Sequence, residues 1–345
     1  MRISFIIPVY NRPDEVRELL ESLCLQTDKD FDVFVVEDGS SVRCETVCNE
    51  FSDKLDIHYF YKENSGPGQS RNYGAERADG DFLIVLDSDV VLPQEYVANV
   101  KMEIEREDTD AFGGPDRAHE SFSDLQKAIN YSMTSFLTTG GIRGGKKKLD
   151  KFYPRSFNMG IKREVYHALG GFSKMRFGED IDFSIRIFKA GYRCRLFPDA
   201  WVWHKRRTDM KKFFRQVFNS GIARINLYKK YPDSLKLVHL LPMVFTVGVV
   251  ALVLTSAVGR VLMAYAGGMR WYPMAALPWL PILLYAVAVF LDSTIRNHSV
   301  KIGFYSIGSA FVQLMGYGFG FISAWWRRCV RKDAEFSAFE KTFYN

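Results

Sequence analysis

The chain has 345 residues, 47% of them hydrophobic, 25% charged and 15% aromatic, a composition that excludes a disordered or collagen-like protein. Its net charge of +6 hides a gradient: residues 1–192 hold 25 Lys+Arg against 33 Asp+Glu, residues 193–236 hold 12 against 3, and residues 237–345 hold 9 against 4. An acidic start followed by a basic middle points to a membrane surface and away from nucleic acid as the partner. Five scattered cysteines (Cys24, Cys44, Cys48, Cys194, Cys329) make no disulfide scaffold, and the Cys44/Cys48 pair lacks the second pair of a zinc site, so reduced cytosolic thiols are expected.

In chain order, Ile3–Tyr10 is a short apolar run closed by Asn11-Arg12-Pro13-Asp14. Pro13-Asp14-Glu15 then opens an amphipathic helix with Val16, Leu19, Leu20 and Leu23 on one face. Phe31–Val36 reads as a strand ending in Glu37-Asp38-Gly39-Ser40, followed by a helix and a third strand, Ile57–Tyr61. Gly66-Pro67-Gly68 breaks the chain before a helix over Gln69–Ala78, and Phe82–Leu86 is a fully apolar strand ending in Asp87-Ser88-Asp89. Alternating strands and helices predict an α/β fold with a mostly parallel sheet. Ligands of open α/β sheets bind beyond the carboxyl ends of the strands. Pro8–Tyr10, Glu37-Asp38 and Asp87-Ser88-Asp89 are therefore expected to converge on one crevice. Two carboxylates at the tip of a buried strand need a cation between them, and oxygen ligands at that density suit Mg2+ or Mn2+ shared with substrate phosphates.

The remainder of the chain is different in kind. Thr208–Tyr231 interleaves Lys211, Lys212, Arg215, Arg224, Lys229 and Lys230 with Phe213, Phe214, Val217, Phe218, Ile222, Ile225 and Leu227, the pattern of interfacial amphipathic helices. Residues 237–259, 274–291 and 302–326 then carry no Asp, Glu, Lys or Arg, and each is close to the roughly 20 apolar residues that span a bilayer. Pro278 and Pro281 interrupt the second, while Gly303, Gly308, Gly316, Gly318 and Gly320 in the third suit close helix packing. No charged n-region with a long apolar run stands before residue 1, so the N-terminal domain is expected in the cytoplasm. Lys229, Lys230 and Lys236 before the first span, and Arg327, Arg328, Arg331 and Lys332 after the third, both ask for the cytoplasmic side. Both ends inside require an even number of crossings, yet there are three apolar segments, so either one segment is re-entrant or interfacial or the tail lies outside. Ser121–Lys151, with Gly140, Gly141, Gly144, Gly145 and Lys146–Lys148, reads either as a solvated glycine-rich basic loop or as a flap over the diphosphate or the acceptor.

Ile6-Ile-Pro-Val-Tyr-Asn11, Val36-Glu-Asp-Gly-Ser40, Ser70-Arg-Asn-Tyr-Gly74 and Leu86-Asp-Ser-Asp89 resemble the successive motifs of family-two nucleotide-sugar glycosyltransferases of GT-A fold. Asn158-Met-Gly160, Gly170-Gly-Phe172, Gly178-Glu-Asp180 and Val202-Trp-His204 resemble the acceptor-side half of the same family. The resemblance covers residues 2–205 with order and spacing kept, and predicts a GT-A catalytic domain over 1–205. Basic interfacial helices over 206–236, a transmembrane region over 237–326 and a basic tail over 327–345 complete the expected organisation.

What this resemblance implies can be carried residue by residue. Pro8, Tyr10 and Asp38 match positions that hold the nucleoside, with Glu37 departing from the commoner aspartate. Arg71 and Asn72 match the segment near the nucleotide and diphosphate. Asp87, with Ser88, matches the residue near ribose and donor sugar, and Asp89 the metal ligand. Asn158 falls on the acceptor side, and Asp180, beside Glu179, matches the catalytic base. His204 matches a position that completes the metal site in some members; its own surroundings, Trp201 and Trp203, equally suit a packed histidine. The implied activity is inverting transfer of a hexosyl or N-acetylhexosaminyl unit from a UDP- or GDP-linked donor, in cell-envelope polysaccharide or glycolipid synthesis. The expected acceptor is a hydroxyl of a lipid-linked glycan at the cytoplasmic face of the inner membrane, and the expected cofactor is Mg2+ or Mn2+. A polyprenyl-phosphate glycosyltransferase is the nearest rival, disfavoured by Glu179-Asp180 because a phosphate acceptor needs no deprotonation. A processive synthase would carry Gln-x-x-Arg-Trp, where this chain has only Gln216-Val-Phe-Asn219. From another class, an inert membrane scaffold of the same fold conflicts with the retained Asp87, Asp89 and Asp180.

Overall fold

A computed structural model describes residues 1–117, 122–139, 153–205, 207–266 and 268–334. The chain runs β1 (Ile3–Val9), α1 (Pro13–Cys24), β2 (Phe31–Asp38), α2 (Glu45–Glu50), β3 (Ile57–Lys62), α3 (Pro67–Ala75), β4 (Phe82–Leu86), β5 (Val90–Val91), α4 (Tyr96–Arg106), β6 (Ala111–Gly113) and β7 (Asp116–Arg117). It continues with α5 (Asp124–Thr134), α6 (Phe136–Thr139), β8 (Asn158–Lys162), α7 (Arg163–Ala168), α8 (Glu179–Lys189), β9 (Cys194–Leu196) and β10 (Val202–His204). The remaining helices are α9 (Met210–Lys230), α10 (Leu241–Tyr265), α11 (Tyr272–Ala276), α12 (Trp279–Asn297) and α13 (Val300–Trp325). The described residues divide into two compact units, 1–117 with 153–205, and 122–139 with 207–334. The boundary thus differs from the expected single cut near 205, because α5 and α6 belong with the apolar helices.

In the first unit the strands order as β3-β2-β1-β4-β8-β6-β9. β3, β2, β1 and β4 are mutually parallel, β8 is antiparallel to both β4 and β6, and β9 is parallel to β6. The apolar runs of β1, β2 and β4 are buried throughout, as strands covered on both faces must be. One face packs on Val16, Leu19, Leu20 and Leu23 of α1 and on α4; the other packs on α3, α7 and α8 through Ala75, Tyr166 and Phe183. Register places Pro8 opposite Val36 and ends the β1–β4 ladder at Ile6–Val85. Pro8, which has no N–H to donate, therefore sits beyond β4's reach. The parallel strands end together at Val9, Asp38 and Leu86, and antiparallel β8 starts there, with Asn158 opposite Leu86.

A second sheet of three very short strands, β5-β10-β7, stands beside that edge. It pairs His204 with Val90 and Val202 with Asp116. Strands of two or three residues carry no periodicity, so nothing in the sequence announced this sheet.

The second unit is helical. Leu237–Tyr265, Gly268–Asn297 and Val300–Val330 are long and apolar enough to cross a membrane. Pro278 does break the second: α11 ends at Ala276 and α12 restarts at Trp279. Four of the five glycines of α13 are close-packing positions. A Cβ on Gly303, Gly316, Gly318 or Gly320 would stand 2.1, 2.5, 2.0 or 2.0 Å from Thr294, Val217, Thr246 or Phe218. The loop expected over Ser121–Lys151 is helical in its first half, where Ser123 caps α5 and α6 follows; residues 140–152 and the tail from residue 335 lie outside the described residues.

Candidate active site

The acidic strand end after β4 is held by cations. Asp87 Oδ1 accepts from the Arg71 guanidinium at 2.8 Å, and the same guanidinium donates to Glu179 Oε1 at 3.1 Å. Arg71 lies on α3 with its side chain only 3% exposed, so this carboxylate–guanidinium–carboxylate chain ties the end of β4 to the start of α8. Burial works against the Arg71 charge, and Asp87 and Glu179 outweigh it, keeping the guanidinium firmly protonated. Phe172 lies beneath it, 5.2 Å from the guanidinium carbon to the ring centre.

Asp89 is buried one residue before β5. Arg12 pairs with its Oδ2, and His204 Nε2 lies 3.3 Å from its Oδ1. Oxygen or nitrogen atoms of Asp87, Asp89 and His204 all fall within 4.8 Å of one another, the spacing of a metal-ligand set. The three-stranded sheet produces this grouping: Asp89 immediately precedes β5, His204 ends β10, and Asp116 opens β7. His204 Nδ1 lies 3.7 Å from Asp116 Oδ2, and the imidazole stacks on Phe157 with centroids 4.9 Å apart. Trp201 and Trp203, its sequence neighbours, pack on each other instead.

α8 begins at Gly178, whose φ of 86° is left-handed and suits glycine, and its first turn carries Glu179, Asp180 and Asp182. Three carboxylates are favourable at a helix N-terminus, but their partners separate their roles. Asp182 is fully buried, accepts from Ser173 Oγ and Arg186 Nε, and so holds the 169–173 turn. Glu179 faces Arg71; burial first, and then the neighbouring Asp180 charge, push its carboxyl up to about 7 against the pull of Arg71. Asp180 keeps its side chain 15% exposed and meets Arg155 Nε at 3.1 Å.

The remaining expected residues fall into two groups. Tyr10 and Ser88 stand with Pro8 and Asp87 at the convergent strand ends, Tyr10 half-buried and Ser88 buried. Asp38, Asn72 and Asn158 are engaged within the protein. Asp38 is 1% exposed; its carboxylate accepts from Ser65 N (2.9 Å) and Gly66 N (2.8 Å) and pairs with Lys62, fixing the turn that starts α3. Asn72 accepts from Phe172 N and Tyr166 Oη and donates to Phe172 O, closing the Gly170–Phe172 turn. Asn158 is fully buried between Tyr96 Oη and Ala200 O. Glu37 is likewise interior, accepting from Cys44 N and Tyr59 Oη. Asn11 adopts φ 52° and its Oδ1 caps Ser41 N and Val42 N, which explains an asparagine at the end of that motif. Sequence reasoning missed Arg12, Lys62, Asp116, Arg155 and Phe157; only Arg12 stood inside a quoted signal, the Asn11–Asp14 strand terminator.

Comparison with known proteins gives the first unit its relatives. Residues 4–170 match the pattern of Glycosyl transferase family 2. The chain carries a family-2 glycosyltransferase domain. A probable glycosyltransferase of Bacillus subtilis, YdaM, is 29% identical over 237 residues, 66% of this chain and 56% of that protein. An uncharacterized glycosyltransferase of Haemophilus influenzae is 32% identical over 196 residues, 54% of this chain and 62% of its own length. The chain thus spans less than two thirds of these curated relatives. Among solved structures, the mannosyltransferase PcManGT of Pyrobaculum calidifontis, in complex with GDP-Man and Mn2+, superposes with a TM-score of 0.59 at 20% identity, covering 91% of this chain and 87% of that one. That likeness places the family-2 domain of this chain in the GT-A fold.

Proposed function

We propose that this protein is a membrane-attached, inverting glycosyltransferase that moves a sugar from a nucleotide-sugar donor to a hydroxyl of a lipid-linked glycan. The observation that carries the proposal is the Asp87–Arg71–Glu179 chain, which couples a ligand-rich strand end to the Glu179-Asp180 helix start within one unit. Asp87, Asp89 and His204 fit a divalent ion: two carboxylates offer hard oxygens to Mg2+ or Mn2+, and the imidazole favours the transition ion Mn2+. When bound, such an ion supplies positive charge to the departing diphosphate. Pro8, Tyr10 and Ser88 line the nucleotide side, while Asp38 and Asn72 serve it by shaping the turns around it. Asn158 supports the acceptor side from within the core.

In the transfer step the acceptor oxygen bonds to the anomeric carbon as the bond to the diphosphate oxygen breaks. The nucleoside diphosphate leaves with the electron pair, and Asp180 takes the hydroxyl proton. One base and no covalent nucleophile give inversion. Arg155 at 3.1 Å orients Asp180, and Arg71 keeps Asp87 and Glu179 in place. The three apolar helices, long enough to cross a membrane, support an acceptor held at a bilayer, and the basic residues Lys229, Lys230 and Lys236 before the first of them support a catalytic domain on the cytoplasmic face of the inner membrane. The deciding experiment is turnover by the full chain in lipid, with a panel of UDP- and GDP-sugars and extracted lipid-linked acceptors, with Mn2+ or with EDTA. Nucleoside diphosphate release that needs metal and acceptor supports the reading; no release from any donor defeats it.

A further inference from the structure

Basic residues at both ends of the apolar region ask for one side of the membrane, whereas three crossings would separate them. Contacts inside the second unit resolve the conflict. α13 qualifies as a crossing by length and apolarity, but charged helices accompany it along its length. α9 runs beside it in the same direction: Met210 lies against Gly308, Val217 against Gly316, Gly221 against Tyr317, and Ile225 packs with Phe321 and Ala324. At about 1.5 Å per residue the 210–225 stretch extends about 24 Å, most of the roughly 30 Å of a hydrocarbon core. The approach reaches backbone, since a Cβ on Gly221 would stand 2.2 Å from Tyr317 O. Had α13 crossed, α9 would have followed, taking Lys211, Lys212, Arg215 and Arg224 into hydrocarbon, where charged side chains are strongly disfavoured. The first half of α13 is flanked by polar α5, through Lys301–Asp124 at 2.8 Å and Ser309 Oγ donating to Ala128 O at 2.9 Å.

α10 behaves otherwise. It meets α13 through Pro242 and Thr246, and Val247–Tyr265 then extends for about 28 Å. That outer part pairs with the α11–α12 segment: Ser256 Oγ donates to Ala275 O at 2.6 Å and accepts from Trp279 Nε1 at 2.8 Å. The most apolar windows of the first two candidate helices are 6% and 17% buried within the protein, against 44% for the third. Two helices thus present their sides to a surrounding solvent, and the third is covered by protein over a much larger share of its surface.

We propose that the chain crosses the membrane twice, out through α10 and back through α11–α12. α13 lies in the headgroup layer between α5 and α9, and Arg327–Lys332 returns to the side of the residues that precede α10. The partner of the exposed Phe304, Tyr305, Phe319, Trp325 and Trp326 is then the lipid interface, where aromatic side chains concentrate. This rests on the membrane-attached reading above.

Sided labelling of the full chain tests it. In a background with Cys24, Cys194 and Cys329 replaced by serine (Cys44 and Cys48 are buried), single variants Leu25→Cys, Met269→Cys and Asp333→Cys are treated with a membrane-impermeant maleimide. Labelling is compared before and after opening the vesicles. All three positions are exposed. The proposal expects Asp333→Cys to label with Leu25→Cys and Met269→Cys to label from the opposite side. Asp333→Cys labelling with Met269→Cys means three crossings and overturns it. All three labelling from one side means no crossing, which overturns the proposal together with the membrane-spanning reading beneath it.

Discussion

The two units use their polar side chains in opposite ways. In the first, charges are pooled: Asp87, Asp89, Arg12, Arg71, Glu179, Asp180 and Arg155 meet at one sheet edge, where each finds an opposite charge. In the second, the seams of α10 and α12 with α13 are joined by neutral groups, Ser293 with Ser306 at 2.6 Å and Thr246 Oγ1 donating to Leu314 O at 3.4 Å, and by glycines that bring backbones together. The difference teaches what each solvent allows. A dense charge cluster stands at the sheet edge because each member has an opposite charge within reach. Helices long and apolar enough to cross a membrane would gain nothing in lipid by burying apolar side chains there, and associate through close contact and modest hydrogen bonds.

The sharpest way to break this comparison is Asp89→Ala. It removes a ligand and strips Arg12 of its partner, so transfer should fall to the detection limit with Mn2+ present. Circular dichroism should remain that of the parent, because the site lies at a strand end. Retained turnover in EDTA would dissolve the charge cluster's assigned role. Asp180→Asn comes next: general-base catalysis contributes about 10²–10⁴-fold, so turnover should drop by that order while nucleotide affinity, read by calorimetry, holds. Lost affinity with normal single-turnover transfer would move Asp180 to the donor side.

The helical half of the comparison is tested by Gly320→Ala. Its Cβ would stand 2.0 Å from Phe218 O, and overpacking typically costs about 1–3 kcal/mol. Tryptophan fluorescence in detergent should show earlier loss of the helical unit, since Trp271, Trp279, Trp325 and Trp326 report on it. The unfolding signal of the catalytic unit should not move. The smallest effect concerns pH. Glu179 is raised from its ordinary 4.5 to about 7, so the folded unit binds its proton more tightly than the unfolded chain does. Its stabilising contribution is complete below about 4.5 and is lost as pH rises to about 7. Glu179→Gln should flatten the dependence of the melting temperature on pH across that window; an unchanged slope would show that Arg71 already holds Glu179 as an anion.

Much of the fold was legible because its strands are long, apolar and punctuated. β1, β2 and β4 are buried on both faces, so their runs are continuous, and the acidic residues that end them mark the crevice without reference to the rest of the chain. The apolar helices were legible for the same local reason, as was the break at Pro278. The dense spacing of Asp87-Ser88-Asp89 likewise pointed to a candidate cation site, and the fold brings His204 to the same group.

What tertiary structure decided depends on pairings distant in sequence. Asp116 and His204 are 88 residues apart and meet through strands too short to show a period. Arg71 reaches Glu179 across 108 positions, a contact that no local pattern encodes. Asp38, Asn72 and Asn158 are polar residues in motifs, and sequence alone could not tell which groups of the protein they would meet; in the folded chain they bond backbone and side chains of the turns and core. Apolarity, finally, measures what a helix can enter and not what surrounds it. α13 reads like a span, and only its neighbours, α9 with its lysines and arginines and α5 with Asp124, reveal how that apolar surface is covered.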